Sequence, residues 1–329
     1  PLGATKNHGL PLRLGNFVNP LTNERFANYL RQFIQAIKDD PEMDLWQDFG
    51  APRTGGIGIS LYGKENVRPI AIGRGAQKMR DILTEKNYKN FPIHVDEFEL
   101  LKLNSGENTF RGEPGIYSAS WLAQAIHSLY DVHHVSDISI WQYNYELPWQ
   151  SKSSNKIMTA KHNFLMWLRK TNNHQRVVSH GDELSPTEDI LTFSFKDERT
   201  QKYTSIVTRH AQNFKARGKR KGRICIKNLP NGSYRLKHSS IDKNRGDAWT
   251  AHLKNNGLND SLDLYNYQKK IYELPRDFTK SYESTREELE KASRPKVLRN
   301  RRIEIKNNQK CLVLKMQPHS IHKVELQKY

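Results

Sequence analysis

Phe91-Pro92-Ile93-His94-Val95-Asp96-Glu97-Phe98 is the stretch on which the reading of this chain turns. Ile93 to Phe98 is short and β-prone. Pro92 precedes it and, lacking an N–H, suits the first position of a strand. A helical pattern runs from Gly75 to Asn87 before it, and another from Gly115 to Tyr130 after it. A strand between two helices is the rhythm of an α/β barrel, in which chemistry gathers at the C-terminal ends of strands. Glu97 is then a carboxylate at a strand end. An exposed strand-end Glu is also an ordinary surface feature, so the surrounding sequence has to decide.

Working outward, Leu12 to Val18 reads as a strand. Asn23 to Lys38 carries Phe26, Tyr29, Leu30, Phe33, Ile34 and Ile37 at helical spacing, and Pro41 closes it. Ile57 to Tyr62 is a strand entered through Gly55-Gly56, and Met79, Ile82 and Leu83 mark the next helix. Trp121, Leu122, Ala125, Ile126 and Leu129 mark the helix after the Glu97 strand, and Ile138 to Tyr143 closes the series. Four strands with three intervening helices make residues 12–150 half of an eight-stranded (β/α) barrel.

From Ser151 the texture changes. After a helical segment around Phe164, Leu165, Trp167 and Leu168 come alternating runs: Leu191–Phe195, Tyr203–Val207, Ile224–Ile226, Tyr234–His238, Ile303–Ile305, Leu312–Met316 and Ile321–Leu326. Asn231-Gly232 reads as a hairpin turn between the third and fourth of these. Many short strands separated by turns predict a β-sandwich over 151–329, with a helical excursion at 243–300. The fold class is α/β plus β. Residues 1–11 are a lead-in, and Pro1-Leu2-Gly3 has the form of a protease-site remnant, left out of the fold reading.

The chain has 329 residues, 36% hydrophobic and 27% charged, enough for a core in two domains. Its net charge of +18 and pI near 9.7 favour polyanionic partners: nucleic acid, acidic glycan or an anionic membrane surface. A Lys- and Asn-rich solvated surface gives the same totals. Two basic runs concentrate the charge: Lys215–Arg223, with Lys219, Arg220 and Lys221, and Arg294–Arg302, with Arg299, Arg301 and Arg302. Such runs can neutralise phosphates, and the first also reads as a solvated hairpin loop. Cys225 and Cys311 lie in apolar strand-like runs without metal-ligand spacing, which predicts two buried free thiols in a reducing compartment. His133-His134 lacks a third ligand, so neither metal nor cofactor is expected. No apolar stretch approaches the ~18 residues of a membrane span. A cytoplasmic location without membrane partners is the expectation.

One succession is more specific. Ile224-Cys225-Ile226-Lys227-Asn228-Leu229-Pro230-Asn231-Gly232-Ser233-Tyr234-Arg235-Leu236 leads into Ser240-Ile241-Asp242, Ala248-Trp249 and finally Pro318-His319-Ser320-Ile321 through Leu326. In order and spacing this resembles the C-terminal β-sandwich of glycoside hydrolase family 39, the family of β-xylosidases and α-L-iduronidase. The resemblance extends back to about Leu12 and implies barrel strands five to eight. Ile57 to Gly63 takes the place of strand six, Ser139 to Tyr143 that of strand eight, and Asp96-Glu97-Phe98 that of the strand-seven "TEW" element. Glu97 thereby matches the family's nucleophile. The departures are Ser60 where the family has His, with Tyr62 kept; Phe98 for Trp; and Asn144 or Tyr145 for an acidic residue, with Glu146 nearby. The family's "NEP" general acid/base is not found in this chain.

A retaining glycosidase needs two carboxyl groups roughly 5–5.5 Å apart. Glu97 supplies one, and Glu99, Glu113 and Glu146 do not offer an evident second. Around it Tyr62, His94, Trp141, Tyr143 and Glu146 are the candidate ligand-binding residues. The leading expectation is a non-catalytic sugar-sensing effector or oligomerisation domain, as in the family 39-like domains joined to AraC-type regulators. It would form a homodimer and reach DNA through a domain upstream of this chain. The alternatives are a retaining β-xylosidase-like enzyme with its acid/base outside the chain, and a polyanion-binding module.

Overall fold

The computed structural model of the chain describes residues 12–18, 24–39, 54–64, 68–102, 115–140, 157–179, 182–185, 187–259 and 284–329. Two compact units make it up: residues 1–101 with 125–142, and residues 102–124 with 143–329.

The first unit alternates strand and helix: β1 (Leu12–Val18), α1 (Glu24–Asp39), β2 (Thr54–Lys64), α2 (Ala71–Glu85), β3 (Ile93–Lys102), the second half of α3 (Ile116–Tyr130) and β4 (Val135–Ile140). One sheet runs β1-β2-β3-β4, with β1 parallel to β2 and β3 parallel to β4. Ile57, Ile59 and Leu61 of β2 and Ile93, Val95, Phe98 and Leu100 of β3 are fully buried. β2 is buried without a break from Gly56 to Leu61. A strand covered on both faces reads as a continuous apolar run, as β-strands in α/β folds do. Ala27, Leu30 and Ile34 of α1 and Ile72, Ala76, Met79 and Leu83 of α2 form the inward stripes. On their outer sides Arg31 bonds Glu85 and Lys78 bonds Glu24, tying the two helices together.

Arg80 holds together the end of this sheet where β3 and β4 begin. It is 4% exposed and donates to the carbonyls of Tyr88, Lys89, Phe91, His133 and His134. Those carbonyls belong to the turns that enter β3 and β4, where Tyr88 also accepts from the Phe91 N–H and His134 from the Ile93 N–H. Burial lowers its pKa to about 10, so it still carries its charge at neutral pH.

The second unit is a β-sandwich. Its strands are β5 (Gln175–Val177), β6 (Asp182–Ser185), β7 (Glu188–Asp197), β8 (Lys202–Ala211), β9 (Arg220–Lys227), β10 (Gly232–Ile241), β11 (Lys296–Ile305), β12 (Gln309–Met316) and β13 (Ser320–Lys328). Its helices are the first half of α3, α4 (Ala160–Arg169), α5 (Ala248–Asn255) and α6 (Arg286–Ala292). One sheet has the order β11-β10-β13-β8-β7-β5, with β6 also on β7, and β12 pairs with β9 in a second. Between them lie Val207, Leu229, Tyr234, Leu236, Ile303, Leu312, Leu314, Met316, Val324 and Leu326. Residues Gly115 to Gln124 are buried, and α3 meets the sandwich through its polar groups. Its Ile116 N–H donates to Asp247, Tyr117 donates to the Gln212 carbonyl, Ser120 bonds His210, and Gln124 donates to the Asp189 carbonyl.

Three expectations are corrected here. Asn231-Gly232 is not a hairpin turn: β9 pairs with β12, while β10 pairs with β11 and β13. The chain crosses from one sheet to the other, because Leu229 is drawn wholly into the core and Tyr234 donates to the Pro230 carbonyl. Cys225 and Cys311 are not buried thiols. They are register partners on β9 and β12 and form a disulfide with Cα atoms 4.0 Å apart. Period-2 alternation turns Ile224, Leu312 and Leu314 to the core and leaves Cys225 outside. The Lys215–Arg223 run is not all loop, since Arg220 to Arg223 begin β9.

Candidate functional site

The site is built on β2 and β3, neighbours in the first sheet, where the Ile57 N–H donates to the Pro92 carbonyl at 2.9 Å. Ser60 and Tyr62 are two residues apart on β2 and so share a face. Both hydroxyls donate to Oε2 of Glu97, Ser60 at 3.4 Å. Ser60 is fully buried, and Tyr62 and Glu97 are half-buried.

Glu97 lies in mid-strand and not at a strand end, because β3 continues to Lys102 and buries Phe98 and Leu100. A local irregularity gives it its special setting. Val95 pairs with Ile138 and Phe98 with Ile140, three steps on β3 against two on β4. The extra residue falls at Asp96-Glu97, and such bulges re-aim a side chain. The two hydroxyls orient one carboxylate oxygen, and among the described residues no hydrogen bond reaches Oε1. That oxygen can accept from a sugar hydroxyl or act as a nucleophile.

His94 has a partner of its own on β4. Its Nδ1 is 2.8 Å from Asp137, and its ring lies where a Cβ on Gly56 would come within 2.5 Å. Gly56, at φ +114°, is what lets β2 pass so close. Trp141, Tyr143 and Glu146 lie outside the described residues, as do Glu113 and the side chain of Glu99. Sequence reasoning noted Ser60 only as a departure from a pattern; its place beside Tyr62 on one strand face was the available signal.

Among the described residues, no group of three or more His, Cys, Asp or Glu could hold a metal ion. No helix among them is long and apolar enough to cross a membrane.

The basic clusters lie on the second unit. Lys219, Arg220 and Lys221 are exposed where β9 begins, and Arg220 stands 3.7 Å from Glu188. Arg299, Arg301 and Arg302 are exposed on β11, the edge strand of the larger sheet. Charges on an edge strand also discourage edge-to-edge pairing with another chain. Arg299 reaches the Val313 carbonyl on β12, whose register partner is Arg223, so the two runs approach one another at this edge.

No protein-family model and no curated protein matches the chain. Solved structures do. A monomeric β-xylosidase from Caulobacter crescentus superimposes with a TM-score of 0.55 at 11% identity, over 93% of this chain and 66% of its own. A GH39 enzyme from Xanthomonas axonopodis pv. citri gives 0.52 at 13%, over 93% and 65%. A bacterial orthologue of human α-L-iduronidase gives 0.60 at 13%, over 97% and 55%. The chain thus spans 55 to 66% of the length of these three enzymes. At such identities the likeness is one of fold: the chain is built like the family 39 glycoside hydrolases.

Proposed function

We propose that this chain binds a saccharide at Glu97 without hydrolysing it, as a glycoside-hydrolase-like effector or oligomerisation domain of a bacterial AraC-type regulator. The observation that carries the binding reading is the convergence of Tyr62 and Ser60 on one oxygen of Glu97. It orients the carboxylate toward a hydroxyl-bearing ligand in a fold resembling that of glycosidases. Hydrolysis with retention needs a second carboxyl group about 5–5.5 Å away as proton donor. The partners of Glu97 among the described residues are hydroxyls, and no carboxyl group bonds it. The regulatory role rests on the resemblance to family 39-like regulator domains. DNA would be reached through another domain, and the saccharide would bias a homodimer. A cytoplasmic regulator would hold Cys225 and Cys311 reduced in its resting state.

A second reading is favoured by the fold likeness: a retaining β-xylosidase-like enzyme with Glu97 as nucleophile and its acid/base outside this chain. The test is a panel of aryl glycosides offered to this chain and to the full-length protein, each as wild type and Glu97→Ala. Binding without turnover, lost in Glu97→Ala, supports the first reading. Turnover by the full-length protein that Glu97→Ala abolishes establishes the enzyme.

A further inference from the structure

The outer face of the seven-stranded sheet carries a row of polar side chains that the Glu97 site does not use. Registers place Arg302 of β11 opposite Arg235 of β10, Arg235 opposite Gln327 of β13, and Gln327 opposite Lys202 of β8. With strands ~4.8 Å apart, the row crosses four strands in roughly 14 Å. A second row, two residues along, is Asn300, Lys237, Glu325 and Thr204. These residues alternate with Tyr234, Leu236, Ile303 and Leu326, which fill the core, so both rows face away from it. Lys202, Arg235, Lys237, Glu325 and Gln327 line a depression of about 230 Å³.

The charges are unevenly matched. Glu325 is buried and pairs with Lys202 at 2.5 Å and Lys323 at 3.1 Å. Lys323 lies 5.2 Å over the Trp167 ring of α4, which marks the covered end of this face. Arg235 bonds the side-chain oxygen of Asn300, and neither Arg235 nor Lys237 has a carboxylate partner among the described residues. At the rim Tyr329, 71% exposed, lies 5.3 Å from the Arg302 guanidinium.

We propose that this face binds an acidic polysaccharide, a uronate-bearing glycan lying across the strands. Arg235 and Lys237 pair with a uronate carboxylate, Glu325 and Gln327 take sugar hydroxyls, and Tyr329 offers an apolar ring at the rim. The mixed chemistry selects this ligand over nucleic acid. Phosphodiester oxygens only accept hydrogen bonds, so an acceptor-only carboxylate in the floor opposes them, whereas sugar hydroxyls can donate to it. Single-stranded nucleic acid is held by a series of stacking aromatics, and a duplex by a helix or arm entering a groove. Among the described residues this face offers one exposed tyrosine, on a sheet. The inference is independent of the Glu97 site, which lies in the other unit.

The experiment is titration of the full chain with polygalacturonate, an uncharged glucan and oligo(dT) at fixed salt. The variants are R235A/K237A, R235K/K237R, K219A/R220A/K221A and Glu97→Ala, each checked for an unchanged melting curve. Polygalacturonate should bind and the glucan should not. R235A/K237A should weaken binding at least about tenfold (1.4 kcal/mol). R235K/K237R should recover most of it, and the loop triple variant should not change it. The proposal is overturned if polygalacturonate does not bind, or if the triple variant weakens it as much as R235A/K237A does. It is equally overturned if oligo(dT) binds more tightly than polygalacturonate, or if Glu97→Ala abolishes polygalacturonate binding.

Discussion

Tyr62 of β2 donates its hydroxyl hydrogen to Glu97 of β3, joining two residues from neighbouring strands with a helix between them in sequence. Ser60 donates to the same oxygen, so both hydroxyls hold the carboxylate through Oε2. Tyr62→Phe removes one of these two anchors and keeps the ring. Affinity for the saccharide found in the glycoside panel, or turnover if there is any, should fall roughly tenfold, the size of one lost charge-assisted hydrogen bond. An unchanged titration would show that Tyr62 does not orient Glu97. Unfolding should move by less than about 1.5 kcal/mol.

Arg80 is the residue whose loss should damage the first unit most. Arg80→Met keeps much of the side-chain length but removes the guanidinium from five carbonyls, of which Tyr88 and His134 keep a backbone donor. The cost should be about 3 kcal/mol or more in urea unfolding, since buried acceptors are left unmet. Arg31→Met, which breaks only exposed bonds, to Glu24, Glu85 and Asn28, is the control and should leave the midpoint in place. Equal effects from the two variants would refute the clamp.

The Cys225–Cys311 bond joins residues 86 apart in sequence, on an outward face that reductant can reach. Reduction or Cys225→Ser should lower stability by about 2–4 kcal/mol. The readouts are melting with and without reductant and thiol titration of the native protein. Two reactive thiols in fully oxidised protein would show that the pair does not form.

Stability should depend on pH from two directions. Burial pushes His238 down to about 4, and His319 and His322 down to about 3, with nearby Arg299 and Arg245 also opposing charge on His238. Neutral histidine is therefore the folded form. The unfolded chain binds more protons below pH ~6.5, and stability is lost as pH falls from there toward 3. Asp247 behaves oppositely: burial raises it to about 6, against hydrogen bonds from Thr250 and Ile116. Its contribution is full below its ordinary value and is lost as pH rises through about 6. That loss is on the order of 3 kcal/mol. Melting temperature against pH should show a steep acid limb and a shallower fall between about pH 4 and 6 superposed on it. His319→Gln, which can still reach the Asn213 carbonyl, should flatten the acid limb. An unaltered limb would count against a neutral buried His319.

The helices were legible because their apolar residues recur at helical spacing: Ala27, Leu30 and Ile34 in α1, and Met79, Ile82 and Leu83 in α2, are buried as that spacing requires. β3 was found but cut short, because Glu97 and Glu99 interrupt its apolar run while Phe98 and Leu100 remain in the core. The clamp at Arg80 was invisible. Its acceptors are backbone carbonyls, which carry no sequence identity.

Local pattern by itself determined the alternation of strands and helices in the first unit, the succession of strands in the second and the candidacy of Glu97. Each depends on side-chain period, turn chemistry or residue type within a few positions. Only the tertiary structure decided that β9 leaves β10 for β12, that Cys225 meets Cys311, that Ser60 and Tyr62 converge on Glu97, and that Arg302, Arg235 and Lys202 share one row. These are pairings between residues tens of positions apart. Strand register sets them, and register follows from which faces the whole core can bury, so no local window contains it.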